Sequence, residues 1–143
     1  MDKKEAFERS ANLLKRSKTV HVGSVGPCGF PYIKAMLNLE PESLARVWLS
    51  TNTSTKRVAQ FRENPNACLY YSDENNFEGL LLIGKINVRQ DLESKKKLWR
   101  EGFEIYYPKG INDEDYSVFE FNADTANFYH NLENVTFDPS EAL

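Results

Sequence analysis

The sequence predicts a mainly β domain with peripheral helices, a six- or seven-stranded antiparallel barrel. Two observations carry that expectation. Six or seven short runs rich in aliphatic, β-branched and aromatic residues are separated by turn residues, and the stretches with helical spacing are few and short. No repeat, low-complexity run or linker interrupts residues 1–143, so a single domain is expected.

The elements follow in order. Residues 3–17 contain neither Gly nor Pro, and Ala6, Phe7, Ala11 and Leu14 fall near one helical face with the charges opposite. Next, "KTVHVGSV" alternates around His21, "GPCG" at 26–29 is a turn, and a second extended run completes a hairpin. In that run, "FPYIKAMLNLE", period-two alternation predicts Ile33, Ala35, Leu37 and Leu39 as the core face. Tyr32, Lys34, Met36 and Asn38 then form a mixed face able to meet a ligand or partner.

"RVWLS" is a short strand, and Val58, Ala59 and Phe61 give the helix after it an apolar side. "ENP" ends that helix, because the residue before a proline is pushed out of helical geometry. "ACLYYSD" and "GLLLIGKINVRQD" are strands, the second rich in Leu and Ile as expected where both faces are covered. "DLESKKKLWREGF" is a helix capped by Asp91, with Leu92, Leu98 and Trp99 inward and Lys95 to Lys97 on a solvated face. "YYPKGINDED" is a loop, and "YSVFEFNADTANFYHN" supplies one or two last strands with a turn near Asn122 to Asp124.

Composition excludes several classes of function. With 41% apolar and 13% aromatic residues the chain is neither disordered nor fibrous. A net charge of −3, from 18 Lys plus Arg against 21 Asp plus Glu, gives no global field for nucleic acid or an anionic membrane. Cys28 and Cys68 lack CxxC spacing, and the N-terminal "MDKKEAFERS" is charged rather than apolar, so free thiols in a reducing cytoplasm are expected. The longest apolar run, "LLLI" at 80–83, is far short of a membrane span. His21 and His130 stand apart from other ligands at metal spacing, so no metal site is expected. GxSxG, HExxH and Walker-type runs are absent.

One stretch is chemically unusual. "STNTSTKR" sets the hydroxyls of Ser50, Thr51, Thr53, Ser54 and Thr55 beside the cations Lys56 and Arg57. If Ser54 caps a helix beginning at Thr55, the first-turn N–H groups and the helix dipole favour an anion, and the many donors suit a phosphate. An ordinary cap in a solvated loop is the other reading of the same residues. Lys34 is likewise open to two readings, an exposed or snorkelling lysine or a partner for an anion.

The ordered series "GFPYIKAM", "VWLSTNTSTK", "FRENPNACLYY", "LLLIGKINVRQDLESKKKLW" and "YPKG" resembles the flavin-mononucleotide (FMN)-binding split-barrel family of pyridoxamine 5'-phosphate oxidase, in particular its short general-stress-protein branch. The resemblance spans roughly residues 5–130. It implies a homodimer with FMN at the interface, the phosphate held by Ser50, Thr51, Ser54, Thr55 and Lys56. Lys34, Ala35 and Met36 would lie along the ring and ribityl chain, with Lys34 where relatives often carry arginine. Phe128 and Tyr129 resemble an aromatic pair that closes the pocket, often across the dimer.

The departures concern substrate. Leu39 stands where true oxidases carry a lysine for the substrate phosphate, Gly79 stands near a flavin-contacting glutamine, and the late arginine and histidine motif is missing from "NVTFDPSEAL". The resemblance therefore implies an FMN-dependent oxidoreductase with a link to stress response, without vitamin B6 oxidation. The alternative is a carrier or sensor of flavin, haem or a deazaflavin.

Overall fold

The computed structural model describes residues 1–141. Its elements are α1 (Lys3–Arg16), β1 (Thr19–Val25), β2 (Pro31–Leu37), β3 (Arg46–Asn52), α2 (Lys56–Glu63), β4 (Asn66–Asp73), β5 (Glu78–Arg89), α3 (Leu92–Leu98), β6 (Tyr116–His130) and β7 (Glu133–Phe137). The seven antiparallel strands form one curled sheet in the order β2, β1, β4, β5, β6, β3, with β7 added beside the far half of β6. The edges β2 and β3 approach each other but do not pair along their length. Among the described residues a single backbone bridge, from Trp48 N–H to the Glu40 carbonyl at 3.0 Å, joins the two sides, so the barrel is half closed.

The core fills the hollow of this sheet. Val20 and Val22 from β1, Leu69 and Tyr71 from β4, Leu80 and Leu82 from β5, and Phe119 and Phe121 from β6 are buried there, with Leu13 and Leu14 of α1 covering one end. Helix α1 starts where the Asp2 carboxylate accepts from the Glu5 amide. Helix α2 adds Val58 and Phe61, the latter edge-on to Phe119, while Ala59 faces solvent.

Strand β2 reverses the expected facing. Residues directly opposite in an antiparallel pair share a face. Val20 lies opposite Met36 and Val22 opposite Lys34, so the Tyr32, Lys34 and Met36 side turns toward the barrel interior, where Met36 meets the core. Ile33 and Leu37 are instead 71% and 59% exposed on the outer face. Alternation distinguishes two faces but not which one is inside; register with β1 makes that choice. The outer face is also apolar farther along, since Ile83 of β5 is exposed and the coverage expected on both sides of that strand is incomplete in the single chain.

Strand β6 also departs from expectation. It runs unbroken for 15 residues, and instead of a turn at 122–124 it carries a bulge, because Ile83 pairs with Thr125 while Gly84 pairs with Ala123. Gly84 permits the close approach there, as a Cβ at this position would fall on the Asn122 carbonyl. The seventh strand is β7, in the tail beyond the predicted strand runs. In α3, Asp91 caps the helix and Leu98 is buried as expected, but Leu92 is exposed and Lys95 is buried. The Lys95 ammonium donates to the Asp113 carbonyl at 3.3 Å and lies 5.6 Å from the centre of the Tyr116 ring, so only Lys96 and Lys97 are exposed.

Candidate functional site

The unpaired edges β2 and β3 border a slit of about 200 Å³. Lys34, Met36 and Leu37 line one side, Ser50, Thr51 and Asn52 the other, with Thr55, Arg57 and Tyr107 completing it. Residues separated by up to 73 positions thus meet at one opening. Its lining holds two cations and three hydroxyl side chains of Ser and Thr, and among the described residues no carboxylate. Such a donor set favours an anionic ligand rich in oxygen acceptors.

Local chemistry builds the turn after β3. The helix begins one residue later than expected: Thr55, not Ser54, is the cap, accepting from the Val58 amide at 3.4 Å. Ser54 is exposed, and its amide donates to Asp115 Oδ1 at 2.9 Å. Asn52 Nδ2 donates to Asp115 Oδ2 at 2.7 Å, and the Thr53 amide donates to the Asp115 carbonyl at 2.7 Å. Thr53 Oγ1 donates to the Glu114 carbonyl and also meets the Ser117 hydroxyl. The Asn52 amide, followed by the Ser54 N–H, holds the Asp115 carboxyl below its ordinary range.

Asn52, Thr53 and Ser54 are therefore spent on anchoring the turn to the start of β6. Thr51 and Thr55 remain directed to the slit, and Lys56 and Arg57 occupy the first helical turn, where amides have no intrahelical acceptor. Among the described residues, Lys34, Lys56 and Arg57 make no ion pair with a carboxylate. Arg57 Nε is buried without a hydrogen-bond partner.

Of the residues singled out from sequence, Lys34, Met36, Ser50, Thr51 and Thr55 come together at the slit. Ala35 points to the outer face, opposite His21, and Lys56 lies exposed beside the slit at the helix start. The Phe128 side chain is wholly inside the core of the single chain, with its ring 5.6 Å from the Arg9 guanidinium, and does not line the slit. Tyr129, next along the strand, turns to the opposite face and meets Phe77 edge-on near Tyr70 and Gly79. A side chain at position 79 would fall on the Tyr70 hydroxyl.

Arg57, one of the two cations noted beside the hydroxyl run, also lines the slit, whereas Tyr107 is a slit residue that sequence reasoning did not single out. Tyr107 sits in the loop after α3, and nothing local connects it with β2 or β3. Its ring is fixed against Tyr116, Trp99 and Phe103, with centroids 4.7, 6.2 and 6.4 Å away. Burial, then the nearby Asp115 and Asp113 carboxylates, push its phenol up to about 12.

Among the described residues no helix is long and apolar enough to cross a membrane, and no group of three or more His, Cys, Asp or Glu is placed to hold a metal ion.

Comparison with known proteins agrees with this architecture. The pattern of the family described as pyridoxamine 5'-phosphate oxidase like matches residues 29–138. A Clostridium acetobutylicum protein related to general stress protein 26 of Bacillus subtilis, of the pyridoxinephosphate oxidase family, shares 46% identity at a TM-score of 0.84, with 96% of each chain covered. The general stress FMN/FAD binding protein of Xanthomonas citri is similar in fold, with 20% identity, a TM-score of 0.74, and coverage of 98% of this chain and 99% of that one. A heme binding protein of Mycobacterium smegmatis shares the fold at 13% identity and a TM-score of 0.73, covering 94% of this chain and 58% of its own. No curated protein matches. By sequence pattern and by fold, the chain belongs to the pyridoxamine 5'-phosphate oxidase-like family.

Proposed function

We propose that the protein is a cytoplasmic homodimeric flavoprotein that binds FMN in the slit between β2 and β3 and uses it as an oxidoreductase. The observation that carries this reading is the donor set: Lys34, Arg57 and the hydroxyls of Ser50, Thr51 and Thr55 line one opening that no described carboxylate lines. Thr55, Lys56 and Arg57 would hold the phosphate at the start of α2, with Ser50 and Thr51 beside them. Lys34 and Met36 would flank the ring and ribityl chain from the strand edge, with the Ala35 backbone between them. The exposed apolar outer face, with Ile33, Leu37 and Ile83, supports association with a second copy.

Bound flavin supplies hydride and single-electron transfer, and the protein supplies binding and orientation. Lys34 sets a fixed positive charge at the slit, favouring negative charge on whatever lies against it. Leu39 and Gly79 argue for a substrate other than a vitamin B6 phosphate.

A second reading, a carrier or sensor without turnover, is favoured by one specific feature. Among the described residues no His, Asp, Glu or Cys lines the slit, so the commonest proton-transfer side chains are missing from it.

The test is titration of the purified protein with FMN and with riboflavin, which lacks the phosphate. FMN is expected to bind more tightly, and Lys56→Ala and Arg57→Ala should each weaken FMN by about tenfold while leaving riboflavin nearly unchanged. A protein that takes up neither flavin overturns the proposal. A flavin-loaded protein inert toward reduced nicotinamides, quinones and nitro compounds favours the carrier reading.

A further inference from the structure

Three tyrosines are buried among the described residues, and two of them give their hydroxyls to the protein. Tyr71 donates to Asn38 Oδ1 at 3.0 Å, and Tyr116 donates to the Lys95 carbonyl at 2.8 Å. Tyr107 is only 5% exposed, yet no described residue accepts a hydrogen bond from it, and its side chain lines the slit. The hydroxyl is not sealed from solvent, so it is a donor left open at the slit and available to a bound molecule. The adjacent carboxylates do not serve: Asp113 accepts from the Lys109 and Asp115 amides, and Asp115 from Asn52 and Ser54.

We infer that Tyr107 is a ligand-binding and specificity residue whose hydroxyl donates a hydrogen bond to the phosphate group of the molecule held in the slit. This rests on the flavin reading above but concerns a residue outside the hydroxyl-rich turn. The aromatic stack of Trp99, Phe103 and Tyr116 holds the ring in place before ligand arrives, so little side-chain freedom is lost on binding. A phenol kept protonated across the physiological range is always a donor, and among Arg57, Thr55, Thr51 and Ser50 the acceptor it would meet is the anionic end of the ligand.

Tyr107→Phe isolates the hydroxyl, because the ring stack is retained and no hydrogen bond to a described residue is lost. Fluorescence titration is expected to show FMN weakened about 10- to 100-fold, with riboflavin affinity unchanged. Tyr116→Phe is the control: it removes a hydroxyl the protein uses, so thermal stability should fall while the ratio of FMN to riboflavin affinity stays put. Unchanged FMN affinity in Tyr107→Phe, or equal losses for both flavins, overturns the inference while leaving flavin binding intact. A wild-type protein that binds both flavins equally also overturns it, and one that binds neither overturns it together with the proposed function.

Discussion

The Asp115 carboxylate accepts the Ser54 amide on one oxygen, at 2.9 Å, and the Asn52 side chain on the other, at 2.7 Å. One acidic residue at the start of β6 thus clamps the turn that follows β3, and half of the polar chemistry in "STNTSTKR" has a structural use. Asp115→Ala should remove both bonds and leave two donors short of a partner. A loss of about 1 to 3 kcal/mol in urea unfolding is expected. Flavin affinity should fall with it, because Thr55 and α2 are positioned through the same turn. Unchanged stability would mean that the turn holds its shape without the carboxylate.

Acid should loosen a different junction. Arg16 of α1 reaches Asp73 at 2.7 Å and Glu78 at 2.9 Å, and Arg9 reaches Glu78 at 2.7 Å, tying the helix to the β4–β5 hairpin. The Asn76 side chain and amide, then Arg16, draw the Asp73 carboxyl down to about 2. Its folded value lies below the ordinary carboxylate value of about 3.9. The contribution is therefore complete above about pH 4 and is lost as pH falls through about 2. Urea midpoints for wild type and Asp73→Asn should differ at pH 7 and converge toward pH 2. A gap that stays constant across that range would show that ionisation of Asp73 is not what the substitution removes.

The outer sheet face supplies a test of assembly. Ile83 is 48% exposed on the same face as the exposed Ile33, Leu37 and Tyr70, an apolar cluster of the kind that marks an interaction surface. Ile83→Asp should convert a dimer to a single chain in sedimentation, since an unpaired carboxylate would be buried at the centre of the contact. A wild-type protein that sediments as one chain at micromolar concentration would remove the dimer from the proposed function.

What could be read in advance was local. The α1 face, the Asp91 cap, the end of α2 before Pro65 and the strand runs each follow from a few neighbouring residues, and these elements stand where the sequence put them. The donors at Ser50, Thr51 and Thr55 were legible for the same reason, although the cap fell on Thr55 rather than Ser54. Phe128 and Tyr129 illustrate the limit: adjacent residues in a strand must face opposite ways, and sequence alone could not say which of them enters the core.

Long-range pairing settled the rest. Which side of β2 looks inward depends on Val20 and Val22 opposite it, the bulge that replaces a turn in β6 depends on Gly84 across the sheet, and Lys95 is buried because Asp113 and Tyr116 arrive beside it from later in the chain. The slit shows this most clearly. Lys34 and Thr55 carry their chemistry in the sequence, but the opening they share with Tyr107 exists only because the two sheet edges curl toward each other without pairing.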